Sequence, residues 1–288
     1  MKKFKFIIAI LFLISCKENK NQLDKVAYLD VKLGIPKPGE WLAEHKENGQ
    51  SFDSYCNKNP VSVSDEKKVI YIQPIGNFTT LEKKIVEKTA FYVSIFFKLK
   101  TVILEPILED KIPKYEKRIN NDKEQFNATY IIDKVLPNLT PKDGIVIMAI
   151  TAKDLYPSEA WNYVFGLAKY SKRTGVSSFN RFYDQPLSSE NYALCLDRSI
   201  KTASHEIGHM FSLNHCINAV CLMNGVNNID ESDSKPNALC SECLKKLSWN
   251  LKYNDEVRLK DLISFLNSHN LKKDAVILQN QLNVISKK

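Results

Sequence analysis

Three of the chain's five histidines lie within one short stretch, His205-Glu206-Ile207-Gly208-His209-Met210-Phe211-Ser212-Leu213-Asn214-His215. On a helix, residues four apart sit one turn above the other on one face, so His205 and His209 can hold one metal ion together. Glu206 stands beside the first ligand, where its carboxylate can reach a metal-bound water without ligating the metal. His215 cannot ligate from the same straight helix, so the chain has to stop after His209 and turn back. Three neutral imidazoles plus water make the open, catalytic kind of zinc site. The chemistry this spacing points to is hydrolysis of peptide bonds.

The elements around the stretch follow from periodicity. Residues 189–213 read as the helix that carries the ligands, with Leu194, Ile200 and Ala203 facing a sheet. Ahead of it, residues 69–72 read as a strand ended by Pro74 and Gly76. Residues 79–97 read as a helix and 101–104 as a second strand. Residues 116–136 read as another helix, on the spacing of Phe126, Tyr130, Ile131 and Val135. Residues 144–150, 162–170 and 174–182 read as further strands. Downstream, residues 241–251 are expected to form a short helix. Leu259, Leu262, Ile263 and Leu266 mark a C-terminal helix, and residues 274–286 one more. Strands alternating with helices imply an α/β fold.

At the start of the chain, Lys2, Lys3 and Lys5 precede an apolar run from Phe6 to Ile14 that is too short to span a bilayer. Ser15 and Cys16 follow it. This order resembles a bacterial lipoprotein signal over residues 1–15, in which Cys16 is lipidated. An ordinary secretory peptide or an uncleaved anchor is the alternative. The expected location is the bacterial cell envelope, with the protein held on a membrane by lipid alone and facing the periplasm or the exterior. Residues 17–25 read as a polar tether, and 29–64 as irregular chain anchored by Trp41, Leu42, Phe52 and Tyr55. The division expected is 1–15 signal, 16–66 tether and irregular segment, 67–251 catalytic domain and 252–288 helical extension. The formal net charge is +8, but lysines alternate with acids and form no dense block. A nucleic-acid role gains nothing from that pattern. A monomer is expected.

The residues after the third histidine go further. Cys216 follows it directly, then come Cys221, Met223 and Cys240-Ser241-Glu242-Cys243. Here the sequence resembles the archaemetzincins, a family of metzincin zinc peptidases, from Lys68 to Trp249. Pro38-Gly39-Glu40-Trp41-Leu42-Ala43 and Gly49-Gln50-Ser51-Phe52 resemble the lead segment of longer members. The resemblance implies a metzincin-like zincin fold, α/β, with a mixed twisted sheet, helices above an active-site helix, and a smaller loop-rich and helical C-terminal subdomain. It implies two zinc ions. His205, His209 and His215 would hold the catalytic ion, with Glu206 as general base and Met223 in the turn beneath. Cys216, Cys221, Cys240 and Cys243 would hold a structural one. An edge strand, with Gly166, Leu167 and Ala168 closest to the metal, would take an extended peptide by strand addition.

Other readings stay open on the residues. The four cysteines can instead form Cys216–Cys221 and Cys240–Cys243 disulfides. Cys56 and Cys195 can pair or remain thiols. His45 and His269 match nothing. Ser212 stands where the family has Gly, and a left-handed residue with a side chain there costs about 1 kcal/mol. A non-catalytic zinc-containing binding lipoprotein and a zinc amidase acting on a non-protein substrate are the functional alternatives.

Overall fold

The structure is a computed structural model that describes residues 23–183 and 186–287. The signal expected over residues 1–15, and Cys16, lie outside the described residues. Five strands form the main sheet in the order β2-β1-β5-β8-β7. They are β1 (Val69–Ile75), β2 (Thr101–Ile103), β5 (Gly144–Thr151), β7 (Gly166–Lys169) and β8 (Thr174–Ser178). A smaller sheet of β3 (Lys117–Asn120), β4 (Lys123–Asn127) and β6 (Asp154–Tyr156) stands in the order β3-β4-β6. Pairing in the main sheet is parallel except for β7, which runs antiparallel to β8 at the edge.

The two central strands, β1 and β5, are buried along their whole length. That is why they read as unbroken apolar runs rather than alternating ones. Their side chains still divide by face. Ile70, Ile72, Met148 and Ile150 join the larger core beneath the helices. Tyr71, Ile75, Ile147 and Ala149 join a smaller one with Phe126, Ile131 and Leu136.

The larger core is covered by α1 (Thr80–Phe97), α2 (Tyr192–Met210), α3 (Ser241–Leu251), α4 (Asp255–Ser268) and α5 (Lys272–Ile285). A capping box starts α1: the Thr79 hydroxyl accepts from Glu82 N and the Glu82 carboxylate accepts from Thr79 N. Helices α4 and α5 share the core of α1 and α2, with Phe265 against Tyr92 and Phe91.

The expected helix over 116–136 is corrected. Its first half is the β3–β4 hairpin, and only from Ala128 onward is the chain helical. Asn121 and Asp122 both have positive φ, 47° and 60°, which is the two-residue turn whose twist matches paired strands. Strand β6 was not expected. The segment before β1, read as irregular, holds short helices at Trp41–Glu44 and Phe52–Asn57. Tyr55 is fully buried there and its hydroxyl donates to Phe211 O at 2.8 Å.

Candidate active site

Helix α2 ends at Met210, and the chain turns back at Ser212, whose φ is +70°. The turn is closed by Ser212 N donating to His209 O at 2.8 Å and Leu213 N donating to Gly208 O at 3.1 Å. This is the left-handed ending that glycine usually supplies. Here the serine side chain contributes as well: Val61 N donates to its Oγ at 3.1 Å, and Gln50 Nε2 donates to its carbonyl at 3.0 Å. The turn is thereby tied to the segment ahead of β1.

The return brings His215 up to His205 and His209. One nitrogen from each ring lies within 4.8 Å of the others. Each Nδ1 is engaged away from the centre: His205 with Leu222 O at 2.8 Å, His209 with Leu213 O at 2.6 Å and His215 with Glu47 Oε1 at 2.7 Å. Those acceptors require a proton on Nδ1, so each Nε2 presents a lone pair. His205 and His209 bring two such lone pairs within 3.0 Å of each other. A metal ion held between them would satisfy both. Burial pushes His205 down to about 3 and His209 well below its ordinary value, which keeps both in the neutral, ligating form.

Glu206 is 7% exposed and accepts no hydrogen bond among the described residues. Burial pushes its carboxyl up to about 8. It lies against the edge strand: a Cβ on Gly166 would stand 2.6 Å from Glu206 Oε1. Gly166, Leu167 and Ala168 line a cleft of about 570 Å³ together with the three histidines and Glu206.

Met223 is fully buried beneath the site. A Cβ on Gly208 would be 2.6 Å from its Sδ, so the glycine inside the motif makes room for the thioether. The same loop carries the cysteines. Cys216, Cys221, Cys240 and Cys243 are buried, and their sulfurs lie within 4.8 Å of one another. Cys195, Cys216, Cys221, Cys240 and Cys243 form no disulfide, so neither the Cys216–Cys221 and Cys240–Cys243 pairs nor a Cys56–Cys195 pair is present. Cys216 and Cys240 stand 3.5 Å apart, far beyond a covalent S–S bond. Met223 N and Cys240 N both donate to Cys221 Sγ, at 3.4 and 3.2 Å. Hydrogen bonds from the other three thiols pull the Cys216 thiol strongly down. Four converging sulfurs with backbone donors aimed at them fit a closed tetrahedral zinc site. Asn224 braces the loop, donating to Cys216 O and Ala219 O and accepting from Cys221 N.

Two contributors were not singled out from sequence as site residues. Glu47 holds His215, and Trp41 donates from Nε1 to Glu47 at 2.8 Å while its ring meets His215 edge-on. The segment around them was read as anchored irregular chain resembling the lead segment of longer family members, with no site role given to Trp41 or Glu47. His45, given no role, lies against Trp41 with the ring centroids 3.9 Å apart and the planes tilted by 30°.

Comparison with known proteins bears on the family. A family model for peptidase family M54 matches residues 115–249. Archaemetzincin-2 of Macaca fascicularis is 32% identical over 265 residues, spanning 80% of this chain and 72% of that protein. The archaemetzincin of Archaeoglobus fulgidus is 31% identical over 180 residues, spanning 62% of this chain and 99% of that one. Among solved structures, the archaemetzincin of Methanopyrus kandleri aligns with a TM-score of 0.51 at 25% identity, covering 65% of this chain and 97% of that one. Fold, site and likeness together define a zinc-dependent metallopeptidase. The likeness favours this over a non-catalytic binding protein or an amidase. The chain belongs to the archaemetzincins, peptidase family M54.

Proposed function

We propose that His205, His209 and His215 hold the catalytic zinc, that Glu206 is the general base, and that Cys216, Cys221, Cys240 and Cys243 hold a second, structural zinc. The observation that carries this reading is the 3.0 Å approach of two imidazole Nε2 atoms whose Nδ1 atoms are already engaged. When bound there, the ion supplies a Lewis acid for the scissile carbonyl and its attacking water.

The chain's own residues do the rest. A peptide laid along the free edge of β7 gains backbone hydrogen bonds and extends past Glu206 at Gly166. Glu206, favoured in its ionised form by a cation at the histidines, takes the proton of the attacking water and passes it to the leaving amine. Met223 supports the ligands from below, and the cysteine site fixes the loop that carries it. The buried cleft around them strengthens each of these electrostatic contacts.

Attachment to the bacterial envelope through lipid on Cys16 is part of the same reading. It is supported by the order of lysines, apolar run, Ser15 and Cys16. Among the described residues, no helix is long and apolar enough to cross a membrane.

The test pairs metal analysis with cleavage of a peptide library. The expected result is two zinc ions per chain in the wild type and in Glu206→Ala, with cleavage lost only in the variant. Equal cleavage by both proteins would remove Glu206 from the chemistry. One zinc ion in a chain whose thiols are all titratable would remove the structural site.

A further inference from the structure

Lys201 lies one turn before His205 on α2, so both side chains leave the helix on one face. It lines the same cleft as His205 and Glu206 and is only 6% exposed. Its ammonium has three donors. One reaches Ser232 O at 3.2 Å. A second forms an ion pair with Asp197 Oδ2, one turn back on the helix, at the long distance of 3.6 Å. Asp197 is also engaged by Asn237 Nδ2 at 2.7 Å.

Lys235, half-buried, lines the same end of the cleft, and its amine has no hydrogen-bond or ion-pair partner among the described residues. The other acids nearby are committed. Asp233 accepts two bonds from Arg198, and Asp274 accepts from Asn237. Both lysines also border a second cavity of about 300 Å³ that holds these acids. The cleft's own carboxylates lie elsewhere, Glu47 on His215 and Glu206 beside Gly166. Thr202, next to Lys201 in the chain, and Ser232, which accepts from it, add neutral polar groups to the lining.

A buried ammonium held by one carbonyl and one long ion pair, beside a second ammonium with no partner among the described residues, leaves donors on the cleft side that an anionic group would satisfy. We propose that the Lys201–Lys235 end of the cleft is a subsite for a carboxylate of the bound peptide, either an Asp or Glu side chain or the peptide's own terminus. The proposal rests on the peptidase reading of the same cleft. A buried donor left unfilled discriminates strongly against an uncharged isostere. An acidic peptide is therefore expected to bind about tenfold more tightly than its amide twin.

Binding is measured by fluorescence anisotropy on the zinc-loaded Glu206→Ala protein, with labelled peptides in Asp/Asn and Glu/Gln pairs. The pair is scanned along each peptide, with free and amidated C-termini. The expected result is one position at which the acid wins by about tenfold. Lys201→Met is expected to abolish that preference and Lys235→Gln to reduce it. Lys235 is half-buried, so its variant serves even where Lys201→Met does not fold. A preference indifferent to amidation assigns the subsite to a side chain, and one lost on amidation assigns it to the terminus. No discrimination at any position, or a preference untouched by either variant, overturns the proposal. Cleavage of the same peptides by the wild type is scored separately. Its absence alongside an intact acid preference would count against catalysis and not against the subsite.

Discussion

Glu47 Oε1 accepts the Nδ1 proton of His215 at 2.7 Å across 168 positions of sequence. Burial opposes ionisation of Glu47, but bonds from His215 and Trp41 outweigh it and hold its carboxyl below the usual range. The third histidine is therefore aimed by a carboxylate from a distant segment. Removing such an outer partner lowers metal affinity about 10- to 100-fold. Glu47→Ala is expected to show that loss in a chelator competition, whereas Glu47→Gln, whose amide oxygen still accepts, recovers most of it. Equal zinc affinity in all three proteins would mean that packing against Trp41 alone sets the ring.

Ser212 carries two opposed effects. Its left-handed backbone costs about 1 kcal/mol relative to glycine. Its hydroxyl accepts from Val61 N, worth about 1 kcal/mol. Ser212→Gly is thus expected to leave stability within about 1 kcal/mol of the wild type. Ser212→Ala keeps the strain, loses the bond and falls by about 1 kcal/mol. Urea denaturation midpoints decide it, and an alanine variant as stable as the wild type would dismiss the hydroxyl's role.

Gly166 has no room for a side chain beside Glu206. Gly166→Ala is expected to displace the carboxylate and lower kcat about 100-fold, since small misplacements of a catalytic group cost that much. Zinc content and thermal midpoint should stay at wild-type values because β7 is an edge strand. Retained kcat would separate Gly166 from the chemistry.

Burial pushes the Asp197 carboxyl up to about 6, with Lys201 working against the rise and Asp274 and Asp233 adding to it. The folded chain therefore keeps a proton that the unfolded chain, with a pKa of about 4, has released. The resulting stability is fully present below about pH 4 and is lost as pH rises through about 6. Its size is at most about 3 kcal/mol. The wild type should lose stability across that window relative to Asp197→Asn, read from denaturant midpoints at each pH. Parallel curves would rule the effect out.

Much of the site was readable because its residues are close in sequence. The spacing of His205 and His209 implies a helical face, and the cysteines flank the turn that follows. Central strands were readable because burial on both faces leaves unbroken apolar runs. The β3–β4 hairpin was misread because Phe126, Tyr130, Ile131 and Val135 mimic a helical stripe. The stronger cue was Asn121-Asp122, which accepts positive φ. Glu47 was out of reach: one carboxylate in an aperiodic segment carries no mark of the residue it will meet.

The segment around Trp41 and Glu47 also bears on the order of assembly. Trp41 packs so closely on the loop after Met223 that a Cβ on Gly225 would stand 2.4 Å from its ring. The segment thus bridges His215 and that loop, and its partners leave the ribosome long after it does. Closing so long a loop is entropically slow. The contact that orients His215 can therefore close only after the chain from Glu47 through His215 has been made.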